Sequence, residues 1–106
     1  MNAVTTLPAL RHHAINDEHN HEAMLLKAMS HPDRYRVLKI LAREGEVQVG
    51  ELGKWIDLGQ SALSQHLKVL RDVGLVDVRR ESQRMYYTFR KSQGATLRTS
   101  ITDLFG

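Results

Sequence analysis

A mainly α-helical domain carrying a two-stranded β-wing is the fold this sequence predicts: four helices, a hairpin and a closing helix. Three observations predict it. Up to Gly74, apolar residues recur in successive segments at the three-to-four spacing of helices with one buried face. After Gly74 the pattern changes to the alternation of half-buried strands. Between these regions, Leu58-Gly-Gln-Ser-Ala-Leu-Ser-Gln-His-Leu-Lys-Val-Leu-Arg-Asp-Val-Gly-Leu75 joins a turn to a helix with two unlike faces. Leu63, Leu67 and Leu70 form one face; Ser61, Ser64, Gln65 and Lys68 form the other. Gly59 can make the tight turn into this helix and Gly74 can cap its end.

Residues 1–15 contain Pro8 and no sustained periodicity, so a flexible N-terminal segment is expected there, with residues 16–106 as the folded domain. A first helix is expected over Asp17–Met29. Asp17, Glu18 and Glu22 suit its positive N-terminal end, and Met24, Leu25, Ala28 and Met29 form an apolar stripe. Ser30-His-Pro-Asp33 reads as a restart, with Ser30 as N-cap and Pro32 in the first turn. The second helix then runs to Glu44, with Val37, Leu38 and Leu41 inward, and stops at Gly45. A short helix over Gly50–Ile56 buries Leu52 and Trp55–Ile56, and Asp57-Leu58-Gly59 turns the chain into the fourth helix, completing a helix-turn-helix.

Beyond Gly74, Val76 and Val78 alternate with Asp77 and Arg79, while Met85, Tyr87 and Phe89 alternate with Tyr86 and Thr88. Glu81-Ser-Gln-Arg84 is the tip joining them. An isolated hairpin is marginal in water, so this one must rest on the helices as a wing. Ser92 is expected to cap the last helix, in which Leu97, Ile101, Leu104 and Phe105 make a seam. With Met24, Leu25 and Ala28 of the first helix, that seam forms the expected homodimer interface.

Composition narrows the function. A hydrophobic fraction of 42% over 106 residues indicates one ordinary globular domain. Absence of cysteine excludes disulfides, thiolate metal sites and thiol redox sensing in this chain. No apolar run approaches the roughly 18 residues of a membrane span, and the start lacks a signal-peptide pattern, so a cytoplasmic protein is expected. The net charge of +3 is unevenly spread. Residues 61–91 hold seven Lys and Arg against three Asp and Glu, whereas residues 1–60 hold seven against eight. The excess cations lie on the fourth helix and the wing, as a nucleic-acid footprint requires.

Gln60, Ser61, Ala62, Ser64, Gln65, His66 and Lys68 are therefore the expected DNA contacts of a recognition helix spanning about 61–73. Their hydroxyl, amide and ammonium groups suit phosphates and base edges. Gln65 is the foremost base reader, since its amide matches the N6/N7 edge of adenine. His66 can equally be a packed histidine or a phosphate contact. On the wing, Arg79, Arg80, Gln83, Arg84 and Tyr86 are the expected contacts to phosphates or the minor groove. Tyr86 and Tyr87 point to opposite faces, one into the core and one outward.

Metal chemistry has one weak foothold. Were residues 12–22 helical, His13, Asp17 and His21 would share a face, but a polar N-terminal segment yields such spacing by chance. No metal and no cofactor are expected. An enzyme is not expected either, because no nucleophile elbow, phosphate loop or paired-carboxylate motif is present.

Lys27-Ala-Met-Ser-His-Pro-Asp-Arg34, Val49-Gly-Glu-Leu52, Gln60-Ser-Ala-Leu-Ser-Gln-His-Leu67, Leu70-Arg-Asp-Val-Gly-Leu-Val76 and Tyr86-Tyr87 occur in one order and spacing over about residues 24–90. In these stretches the sequence resembles the ArsR/SmtB family of winged-helix repressors, particularly its biofilm-growth-associated repressor and HlyU-like branch. The resemblance implies a homodimer built on the first and last helices, an inverted-repeat operator in double-stranded DNA, and release by an inducer. The family's sensing ligands are missing here. Its cysteine motif falls on Gln48 and Gly50, the cysteine pair of the sulfur-sensing branch falls on Lys39 and Gly106, and residues 92–106 hold Asp103 but no His. The expected function is thus a DNA-binding transcriptional regulator, a repressor, whose inducer is not named by these sites. The alternatives are a metal-responsive repressor using the N-terminal histidines and a winged-helix module for protein interaction.

Overall fold

The computed structural model describes residues 20–106. The expectations for residues 1–15 and for the first helical turn at Asp17 lie outside the described residues. The first helix, α1, is described over residues 20–29. It is followed by α2 (Pro32–Glu44), β1 (Val47–Gln48), α3 (Val49–Ile56), α4 (Gln60–Asp72), β2 (Val76–Glu81), β3 (Arg84–Phe89) and α5 (Lys91–Phe105). This is the expected winged helix-turn-helix.

The wing is larger by one strand than expected. β3 is central in an antiparallel sheet of order β1-β3-β2. Val47 and Gln48 pair with Tyr87 and Tyr86, while Val76–Glu81 pair with Phe89–Arg84. Two residues carry too little alternation to announce a strand, so β1 has no clear sequence signal. It ties the hairpin to the helices at the α2–α3 connection.

Caps differ from expectation in instructive ways. His31, not Ser30, is the N-cap of α2: its Nδ1 accepts the Asp33 N–H at 3.1 Å, with Pro32 opening the helix. Ser30 instead donates from Oγ to the Lys27 carbonyl at 2.8 Å, closing α1. Imidazole is outside the usual capping set, so residue-type rules pass over it. Arg90, not Ser92, precedes the first turn of α5, and it provides no side-chain cap bond. The bend between α3 and α4 is made by Asp57, at φ 60°, whereas Gly59 has φ −62° and could be another residue. Asp tolerates the left-handed region better than most side chains. At the wing tip Ser82 has φ 58°, and as the first of two loop residues it fits a type II′ turn.

Gly74 is required. The Leu75 N–H donates to the Leu70 carbonyl at 2.9 Å and the Gly74 N–H to the Arg71 carbonyl at 3.0 Å. This is a Schellman closure, and it sets Gly74 at φ 83°. A Cβ there would lie 3.0 Å from Arg90 Nη1 and 3.1 Å from Gln93 Nε2. Gly74→Ala is expected to cost about 1–2 kcal/mol for the left-handed conformation alone. Urea titration checks this; an unchanged midpoint contradicts it.

The core is drawn from every layer: Leu25 and Ala28 (α1), Val37, Leu38 and Leu41 (α2), Leu52 and Ile56 (α3), Leu63, Leu67 and Leu70 (α4), Val76 and Tyr87 (sheet), and Leu97 (α5). Trp55 is not among them. It is 51% exposed, because Leu52 and Ile56 one turn apart already define the inner stripe of α3.

Candidate nucleic-acid interface

The fourth helix is fixed from behind and bare in front. Leu63, Leu67 and Leu70 are at most 3% exposed, which seats α4 against its neighbours. On its outer side Gln60, Ser61, Ser64, Gln65 and Lys68 are exposed and together border one shallow depression. Five of the seven expected recognition-helix residues thus share a surface. Ala62 is half-buried at its margin. Lys68 Nζ lies 2.8 Å from Asp72 Oδ2, but both groups are well exposed, and such a pair is worth little and opens readily. Among the described residues no side chain caps α4, leaving its first-turn N–H groups without a side-chain acceptor there. A helix N-terminus in that state favours anions.

His66 faces the other way. Its ring centroid lies 4.4 Å from that of His31, tilted by 50°, and its Nε2 is 3.8 Å from Asp33 Oδ2. Burial, then the neighbouring His31 and Arg34, hold its pKa below the ordinary imidazole value, against a smaller upward pull from Asp33. His66 is therefore packed against the start of α2, off the exposed face that carries Gln65 and Lys68. Its partners are side chains of α2, not the backbone.

The wing sorts its arginines. Arg79 is engaged on three sides: Nε and Nη2 donate to the two Glu46 oxygens at 3.0 and 2.8 Å, and Nη1 donates to Glu81 at 2.6 Å. Its guanidinium also stands 4.6 Å from the centre of the Tyr86 ring. The Arg79 hydrogen bond holds the Glu46 carboxyl below its usual range. Arg79 is thus a brace between the β1 approach and the hairpin, and the least available of the expected wing contacts. Arg80 donates from Nε to the Ser82 carbonyl at 3.1 Å, keeping its charge at the tip. Arg84 and Gln83 are exposed beside it. Tyr86 is half-buried beneath Arg79, and Tyr87 is the tyrosine that enters the core.

The residues expected at a dimer seam divide in two. Leu25, Ala28 and Leu97 are buried in this chain's own core. Met24, Ile101, Leu104 and Phe105 are 53%, 42%, 75% and 83% exposed, and Leu26 joins them at 43%. Ser100 Oγ donates to Glu22, placing α5 beside α1.

Of the N-terminal histidine set, His13 and Asp17 lie outside the described residues and His21 is exposed on α1. A different grouping arises in the fold. His31, Asp33 and His66 converge, with ligand atoms all within 4.8 Å of one another. Their separation along the chain hides this, and only the packing of α4 against α2 creates it.

A helix-turn-helix whose second helix presents an exposed polar face, followed by a cation-bearing hairpin, is the architecture of a winged helix-turn-helix DNA-binding regulator. The arsR family of bacterial regulatory proteins matches residues 31–78. The biofilm growth-associated repressor of Xylella fastidiosa is 37% identical over 100 residues, covering 94% of this chain and 87% of that protein. The HlyU structure from Vibrio cholerae superposes with a TM-score of 0.69 at 39% identity, covering 82% of this chain and 90% of that one. NolR from Sinorhizobium fredii gives 0.71 at 34% identity, covering 94% and 95%. The chain belongs to the arsR family.

Proposed function

We propose that this protein is a homodimeric, sequence-specific repressor acting at an inverted-repeat operator in the cytoplasm. The observation that carries the reading is the single exposed surface shared by Gln60, Ser61, Ser64, Gln65 and Lys68 on a helix locked from behind by three leucines. In this reading α4 lies in the major groove, Gln65 reads a base edge, and the serines, Lys68 and the α4 N-terminus hold phosphates. Arg80, Gln83 and Arg84 on the wing reach the flanking backbone or minor groove. The exposed apolar residues of α1 and α5 pair two copies, which sets the spacing of the half-sites.

Operator affinity should fall steeply with salt, because phosphate contacts release counterions. Arg84→Ala is expected to weaken binding to all sequences alike and to reduce the log–log salt slope by about 1 per bound chain. Arg79→Ala should change that slope less, since Glu46 and Glu81 already claim its charge. Fluorescence anisotropy over a salt series checks both. Affinity that does not vary with salt contradicts the reading; equal slopes for the two variants would contradict the division of labour on the wing.

A further inference from the structure

We propose that His31, Asp33 and His66 form a binding site for a divalent metal ion of the zinc class. The three come from the start of α2 and the middle of α4 and are all half-buried, so the cluster is walled by protein on one side and open on the other. His66 Nε2 stands 3.8 Å from Asp33 Oδ2, and the three ligand atoms lie within 4.8 Å of one another. Metal–ligand bonds of roughly 2.0–2.2 Å require the donors to draw in by about 1 Å, a movement within reach of side-chain torsions. Solvent on the open side supplies a fourth ligand.

Chemistry selects the ion. Two imidazoles and one carboxylate suit Zn²⁺, Co²⁺ or Ni²⁺, whereas Ca²⁺ and Mg²⁺ demand more oxygen donors. The guanidiniums of Arg34 and Arg36 nearby disfavour an ion held by charge alone. Arg36 also has a constructive part. Its Nη2 donates to Asp33 Oδ1 at 2.8 Å and to the Ile56 carbonyl at 3.3 Å, which orients the carboxylate and leaves Oδ2 toward His66.

Ligation has a structural consequence. His31 Nδ1 now accepts the Asp33 N–H, and a neutral imidazole has only one lone-pair nitrogen. Whichever ring nitrogen takes the metal, that N-cap bond is given up and replaced by a metal link from α2 to the recognition helix.

The test uses the full-length chain with His12, His13, His19 and His21 all replaced by Asn, and Co²⁺ as the probe. One Co²⁺ per chain should bind, giving visible d–d bands that Zn²⁺ displaces. Adding His66→Gln, or separately His31→Asn, should abolish the bands. Asn is itself a good N-cap, so His31→Asn removes the ligand while keeping the helix start, and circular dichroism verifies the fold. Absence of bands in the four-Asn protein, or bands that survive His66→Gln, overturns the proposal.

Discussion

Leu67→Ala is expected to remove about 2–5 kcal/mol of stability, a large share of the roughly 5–15 kcal/mol that holds a domain together. Leu67 is 1% exposed, with Leu63 and Leu70 beside it on the face of α4 that meets the core. Truncation loses its transfer free energy and leaves a cavity that the flanking leucines can only partly fill. The polar outer face of α4 is untouched, so below its melting temperature the variant should still bind the operator. Urea titration should show a lower midpoint with an unchanged slope. A loss under about 1 kcal/mol would mean that α4 is not seated as described.

The second large effect lies at the end of α5. Leu104→Asp combined with Phe105→Asp is expected to yield monomers and to weaken operator binding by about 10²–10⁴, the range lost when two linked contacts become one. At 75% and 83% exposure these side chains add little to the core of a single chain, so helix content should persist. Burying two carboxylates against the partner would be costly. Sedimentation equilibrium reads the assembly and gel retardation the affinity. A double variant that remains dimeric and binds as before would rule out α1 and α5 as the interface.

Periodic and chemically marked features could be read from the sequence. Leu63, Leu67 and Leu70, all inward in the structure, are spaced as only a helix requires, and the alternation at Val76–Val78 and Met85–Phe89 gave the hairpin. Gly74 was recognisable because the Schellman closure needs a residue that tolerates positive φ. What stayed hidden depends on contacts distant in the chain. Glu46 pairs with Arg79 from 33 positions away, and nothing in either local sequence announces it. Trp55 reads as inward on hydrophobicity alone, though the stripe of α3 is already complete with Leu52 and Ile56. His31 carried two roles, cap and partner of His66, that residue-type rules do not assign to histidine. Leu25, Ala28 and Leu97 showed the right stripe but not which side of it the chain itself would cover.

Base reading by the outer face of α4 is tested most directly by sequencing DNA fragments that the purified protein and its Gln65→Ala variant select from their own genome. The wild type should enrich an inverted repeat, and the variant should enrich the same repeat with preference relaxed at one position in each half-site, a loss of roughly 1–3 kcal/mol of discrimination there. Selection of no common sequence, or an identical motif from both proteins, would contradict it.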